Sequence, residues 1–261
     1  MTTRLSAVAM ATDTMETWPG YREIPARLNI TREALDRQID AGNGDRRAFV
    51  FDAGSITYGE LASKVNGLAG GLAAQGIEKG TPVLIRMPNC LEFAVSFLAL
   101  VKLGALPVLQ NSLLGADEVA YVREHSDAEA AICLADIADP VRALANELPR
   151  GVIVARGATE NDVSFEDLVR DHADDLIETA DTDAHEPAFF VYTSGTTGRP
   201  KGIVHAHRWL IALGDTNKLR IPPEDTDVAM ATGEWSFISS LGHNVLFPLR
   251  NGITGAILEG R

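Results

Sequence analysis

The stretch PAFFVYTSGTTGRPKGIVHAHRWLIALGDTNK, Pro187 to Lys218, decides how this chain is read. Its apolar run, Ala188 to Tyr192, predicts a short buried strand. A loop of small and hydroxyl residues follows, Thr193 to Gly202. Val204, Trp209, Leu210 and Leu213 then recur at roughly helical spacing and predict a helix. Strand, polar loop and helix together cradle an anion: amides and hydroxyls converge, and glycines let a phosphate approach the backbone. The common P-loop needs four residues between its first glycine and Gly-Lys-Ser/Thr. Here Gly195 and Gly198 are three apart, and Lys201 stands between Pro200 and Gly202. The competing reading is a surface turn rich in Ser, Thr and Gly.

On either side of this stretch the chain alternates strands with helices. Upstream, a short helix follows Thr31, a hairpin pairs Arg46–Phe51 with Ser55–Tyr58, and a helix opens at Tyr58. Further strands are expected over Pro82–Met87, Ala105–Gln110, Ala130–Leu134 and Val152–Ala155. Helices are expected over Leu91–Leu103, Asp117–His125, Pro140–Leu148 and from Ser164 to Ala173. The Leu91 helix is apolar on most faces, so burial on more than one side is expected. His172 to Pro187 is acidic and reads as a solvated linker. Downstream, Asp227–Ala231 predicts a strand, Phe237–Leu249 a helix and Thr254–Leu258 a last strand. This alternation argues for an α/β fold with mainly parallel sheet. The expected divisions are an arm over 1–30, a first α/β subdomain over 31–180, and the start of a second over 181–261.

Composition narrows the partners. Hydrophobic residues make up 46% of 261, enough for a sizeable core, and the net charge is −13. So acidic a chain is a poor general binder of nucleic acid or anionic membranes, and a phosphate must be held by local donors. No apolar run reaches the ~18 residues of a membrane span. Near the N-terminus, Arg4 and LSAVAMA faintly resemble a secretory signal, but the apolar part is short and Asp13 and Glu16 follow closely. A flexible tail is the expectation. Cys90 and Cys133 sit in apolar surroundings outside any metal-binding pattern and read as buried free thiols. A reducing, cytoplasmic setting is the corresponding expectation.

The string YTSGTTGRPKG, Tyr192 to Gly202, resembles the phosphate-loop signature of the adenylate-forming superfamily. ITYGEL, Ile56 to Leu61, and LVKLGALPVLQNSLL, Leu100 to Leu114, resemble two further segments in that family's order. RLNITREALDRQIDAGNGDRRAF and SFISSLGHNVLFPLRNG are most similar to benzoate and 2-aminobenzoate CoA ligases. The resemblance implies stacked αβαβα-type layers and a two-step reaction. A carboxylic acid and ATP form an acyl-adenylate and pyrophosphate, and coenzyme A then takes the acyl group as a thioester. Magnesium accompanies ATP, and room is left for a homodimer. By position, Thr193, Ser194, Gly195, Thr196, Thr197, Gly198 and Lys201 become nucleotide-binding residues, with Lys201 and Thr196 foremost. Trp235, Ser236, Phe237, Gly242 and His243 fall in the region that shapes the acyl pocket, where a flat aromatic acid would fit. Core packing is the competing role for Trp235 and Phe237. His205 and His243 read as structural, and His207 as a hydrogen-bonding residue at the helix start.

The family's later motifs, for adenine, ribose, the metal and the C-terminal lid domain with its catalytic lysine, have no counterpart in these residues. The expectation is an incomplete N-terminal domain with no catalytic residue and no metal ligand of its own. Two alternatives stand beside the ligase reading: an adenylating enzyme with a carrier-protein acceptor, and a truncated domain without turnover.

Overall fold

The computed structural model describes residues 24–193 and 199–259. A π turn, Arg32–Asp36, runs into α1, Arg37–Asp40. The hairpin of β1, Arg47–Phe51, and β2, Gly54–Thr57, precedes α2, Tyr58–Ala74. Next come β3, Pro82–Arg86, α3, Leu91–Leu103, β4, Leu106–Leu109, α4, Ala116–Ser126, and β5, Ala130–Leu134. They are followed by α5, Asp139–Arg142, β6, Val152–Ala155, β7, Val163–Ser164, and α6, Phe165–Asp171. The remainder holds β8, Pro187–Thr193, β9, Lys201–Ala206, α7, Trp209–Arg220, β10, Val228–Ala229, α8, Ile238–Leu241, α9, Phe247–Asn251, and β11, Thr254–Ala256.

The strands make two sheets. One runs β7-β6-β5-β3-β4-β8-β9, parallel throughout except for its last pair. The other runs β10-β11-β1-β2, parallel until the β1–β2 hairpin. Each sheet draws strands from both sides of residue 180. Between the sheets lie α2 and α3: Leu61, Leu68, Phe93 and Phe97 share one core with Phe49 of the small sheet and Val83, Ile85 and Leu109 of the large one. Successive strand residues point to opposite faces. So Leu84, Val108, Cys133 and Val154 form a second core with Val119 and Val122 of α4 and Val141 of α5. Sheet, helices, sheet and helices therefore stack in layers, in the mainly parallel α/β arrangement expected from the sequence.

Local chemistry explains the central layer. In β5 every residue is buried, as a parallel strand covered on both faces requires. On α3 every residue from Phe93 to Lys102 is buried. The Lys102 ammonium donates to both carboxylate oxygens of Asp36, at 3.0 and 3.1 Å, and to the Thr179 hydroxyl at 3.0 Å. A capping box starts α2: the Thr57 hydroxyl accepts from the Glu60 amide, and the Glu60 carboxylate accepts from the Thr57 amide. These bonds hold the Glu60 carboxyl below its usual range. Close approach of α6 demands glycine on α2, since a Cβ at Gly67 would lie 2.4 Å from the Val169 carbonyl oxygen.

Four expectations are corrected. First, no helix opens directly after the phosphate-loop string. The chain returns as β9, antiparallel to β8, in register from Pro187↔Ala206 to Thr193↔Lys201. Val204 belongs to this strand, whose β-branched Ile203 and Val204 suit pairing, and helix begins only at Trp209. Second, residues 140–148 form the short α5 and a separate 3-10 turn, Ala145–Glu147. So short a segment has little to sustain a continuous helix. Third, the helix expected over Phe237–Leu249 contains a π turn, Gly242–Leu246. Pro248 cannot bond back to residue 244 and its ring crowds that carbonyl, which widens the preceding turn. Fourth, the 172–187 segment is only partly solvated. Its Thr182 hydroxyl donates to the Leu28 carbonyl at 2.7 Å, and its Ala180 and Ala184 amides donate to Lys102 and Ala26.

Candidate functional site

Because β3, β4 and β8 are parallel, their C-terminal ends share one edge of the large sheet. Open α/β sheets bind ligands at that edge. Thr193 ends β8 there, half-buried, and Lys201 opens β9 directly opposite, exposed. A hydroxyl and an ammonium thus face each other at the ends of the two strands. Ser194, Gly195, Thr196, Thr197 and Gly198 lie outside the described residues. One pair inward, Tyr192 faces Gly202, where a Cβ would stand 2.9 Å from the phenol ring. Burial pushes the Tyr192 hydroxyl up to about 12.

The neighbouring strand ends hold the turn that carries Trp235 and Ser236. The Asn89 amide nitrogen, after β3, donates to the Gly233 carbonyl at 3.0 Å, and its oxygen accepts from the Trp235 backbone N–H at 2.8 Å. Ser112, after β4, donates to one oxygen of Glu234 at 3.0 Å, and Ser236 donates to the other at 3.2 Å. Buried Arg86, at the end of β3, gives its guanidinium to the carbonyls of Asn111, Leu114 and Ile137. Desolvation lowers its pKa. Asn89, Ser112, Glu234 and Arg86 are the residues that reading the sequence missed. Each finds its partners through the fold, and none sits in a local pattern.

The residues expected at the acyl pocket take different places. Trp235 is fully buried, its ring 5.6 Å from Phe93 edge-on and 6.3 Å from Phe49. Ser236 is buried on Glu234, whereas Phe237 is exposed. Gly242 lies in the π turn, where a Cβ would meet Phe247 and Trp209 at 2.9 to 3.0 Å. His243, exposed, donates from Nδ1 to the Ser239 carbonyl at 2.8 Å. It also lines a cavity of about 280 Å³ with Phe247, Asn217 and Met230, which Trp235, Ser236 and Phe237 do not reach.

His205 and His207 make packing and hydrogen-bond contacts within the fold. His205 stacks on Phe189 at 4.9 Å, and burial lowers its pKa. His207 sits in the turn before α7, not in the helix, and its Nδ1 accepts the Ile30 amide at 3.3 Å. Burial depresses it to about 4. Cys90 and Cys133 are buried and unpaired, and desolvation raises both thiols, Cys133 to about 12. Among the described residues no three His, Cys, Asp or Glu side chains gather to hold a metal, and no helix is long and apolar enough to cross a membrane.

A family model described as AMP-binding enzyme matches residues 35–261. The chain belongs to that family. Its relatives include the benzoate–CoA ligase of Thauera aromatica, 30% identical over 93% of this chain and 46% of that protein. The acetyl-coenzyme A synthetase of Mycolicibacterium smegmatis is 32% identical over 91% of this chain and 28% of its own length. A crystal structure of an anthranilate CoA ligase in complex with anthranoyl-AMP superposes with a TM-score of 0.85 at 25% identity, covering 91% of this chain and 46% of that one. The family resemblance read from YTSGTTGRPKG thus holds, and the likeness to aromatic-acid CoA ligases read from RLNITREALDRQIDAGNGDRRAF and SFISSLGHNVLFPLRNG is matched by these relatives. The chain spans about half the length of the aromatic-acid ligases it matches.

Proposed function

We propose that this chain carries the phosphate-gripping part of an ATP-dependent carboxylate–CoA ligase acting on an aromatic acid such as benzoate or 2-aminobenzoate. The observation that carries the proposal is the likeness to aromatic-acid CoA ligases over about nine-tenths of the chain, in sequence and in fold. Acetyl-coenzyme A synthetases match at comparable identity, so the acid is the part the experiment must decide.

In the proposed first step a carboxylate oxygen attacks the α-phosphorus of MgATP. The bond from that phosphorus to the bridging oxygen breaks, and pyrophosphate leaves with the electron pair. In the second, the thiol of coenzyme A loses its proton and displaces AMP from the acyl carbon. Lys201 is assigned to the leaving phosphates, as the cation at the mouth of the turn, and Thr193 and the residues up to Gly198 supply neutral donors. Positioning and charge stabilisation of this kind are the main protein contribution to phosphate chemistry. The proposed setting is a reducing cytoplasm, supported by the buried unpaired thiols.

The test is ATP–pyrophosphate exchange with benzoate, 2-aminobenzoate and acetate, for this chain and for any longer reading frame that contains it. Exchange driven best by an aromatic acid is expected. Exchange driven best by acetate overturns the aromatic assignment, and exchange undiminished in Lys201→Ala overturns the role of the loop.

A further inference from the structure

We propose that α4 positions the two stems of the turn between β8 and β9, with Tyr121 and His125 holding Arg199 and Tyr192 and thereby setting Thr193 and Lys201. Tyr121 and His125 are four residues apart on α4, so they present neighbouring rings on one helix face, with centroids 5.4 Å apart. The Tyr192 hydroxyl lies 2.7 Å from His125 Nδ1, and the two rings meet edge to face at 5.8 Å. The Arg199 guanidinium stands over the Tyr121 ring, 5.0 Å from its centroid. That distance is within the reach of a cation–π contact.

The two gripped residues lie on either side of residues 194–198. Tyr192 is the last residue before Thr193, and Arg199 comes two before Lys201. The pair Tyr192↔Gly202 adjoins Thr193↔Lys201, so whatever fixes the Tyr192 ring fixes the next pair outward. Gly202 closes the other side of that ring. A phenol this buried needs a partner for its hydroxyl, and His125 supplies it. Arg199 lines a cleft of about 850 Å³ with Asp117, Glu118, Glu124, Glu147 and Arg123, where Arg123 already pairs with Glu147 and three carboxylates remain beside Arg199. Tyr121 is half-buried against the second core, to which Tyr192 belongs, whereas His125 is exposed at the surface of α4.

This proposal rests on the nucleotide reading of the loop, and its test separates the two. In the 261-residue chain, hydrogen exchange is measured at the amides of Tyr192, Thr193, Lys201 and Gly202, alongside the melting temperature and the Kd for MgATP. Tyr121→Leu and His125→Ala should each speed that exchange about three- to tenfold with the melting temperature kept, the range expected for one cation–π contact or one hydrogen bond. Tyr121→Phe keeps the ring face and His125→Gln a polar partner, so both should exchange like wild type. Joining Tyr192→Phe to His125→Ala should add nothing, because both remove the same bond. The Kd should weaken in parallel with the exchange. Unchanged exchange in Tyr121→Leu and His125→Ala overturns the proposal, as does Tyr121→Phe loosening the stems as much as Tyr121→Leu. Loosened stems with an unchanged Kd overturn the positioning role. If wild type binds no MgATP while the variants still loosen the stems, the nucleotide reading falls and the grip of α4 stands.

Discussion

Two regions meet at the C-terminal edge of the large sheet, and they are held differently. The 233–236 turn, half-buried at Gly233 and Glu234 and buried at Trp235 and Ser236, is hydrogen-bonded to the ends of β3 and β4 through Asn89 and Ser112. The β8–β9 stems end in an exposed lysine and a half-buried threonine, gripped from one side by rings on α4. Substitutions in the first region should therefore appear in stability, because buried groups lose both packing and partners. At the exposed Lys201 of the second they should appear in ligand affinity, because that side chain buries little.

Trp235→Ala should show the largest effect, about 3 to 5 kcal/mol of lost stability by chemical denaturation, as for other buried aromatic truncations. If Trp235 instead faces an acyl site, the variant stays nearly as stable and loses affinity for the acid. The next effect is set by pH. His207 is neutral in the folded state, since its Nδ1 accepts a hydrogen bond that a protonated ring cannot. Its pKa is lowered from the usual ~6.5 to about 4, so the unfolded chain binds the extra proton first. Stability from this residue is complete above about pH 6.5 and is lost as pH falls toward 4, on the order of 2 to 3 kcal/mol. His207→Asn should flatten that part of the stability–pH curve, and an unchanged slope would assign the loss to other groups.

Asn89→Ala should cost about 1 to 3 kcal/mol, because it leaves the Gly233 carbonyl and the Trp235 amide without partners. A cost below about 0.5 kcal/mol would mean that water replaces both bonds. The smallest change in stability belongs to Lys201→Ala, within about 0.5 kcal/mol for an exposed side chain. Titration with MgATP should nonetheless show affinity reduced about tenfold or more, which is ~1.4 kcal/mol. A lysine variant that melts early and binds normally would erase the contrast between the two regions.

The same contrast decides what the sequence revealed. The loop string and α3 were legible because their signals are local: an ordered run of Ser, Thr and Gly in one case, a surface apolar on most faces in the other. The strand after the loop was hidden, because β9 is a strand only by virtue of β8, and hairpin pairing outweighs a loose helical spacing from Val204 to Leu213. Asn89, Ser112 and Glu234 carry no local mark. Ser112 and Glu234 are 122 residues apart, and Asn89 lies 146 from Trp235. His125 read as a residue of a predicted helix with nothing to distinguish it until Tyr192 was placed against it. Conversely, Trp235 stood out as a pocket aromatic by its position in a resemblance, while its surroundings are those of a core residue.

The buried ammonium of Lys102 bears on how the chain could be divided. It joins Asp36, early in the chain, to Thr179, just beyond Leu176, a leucine 95% exposed among acidic neighbours. A protease that cut beside Leu176 would sever one covalent bond and leave the Lys102–Thr179 contact, the Thr182–Leu28 bond and the β4–β8 pairing in place. The two pieces, separately expressed, would carry matching halves of one seam, so the 172–176 stretch is the natural place to build a split version of this protein.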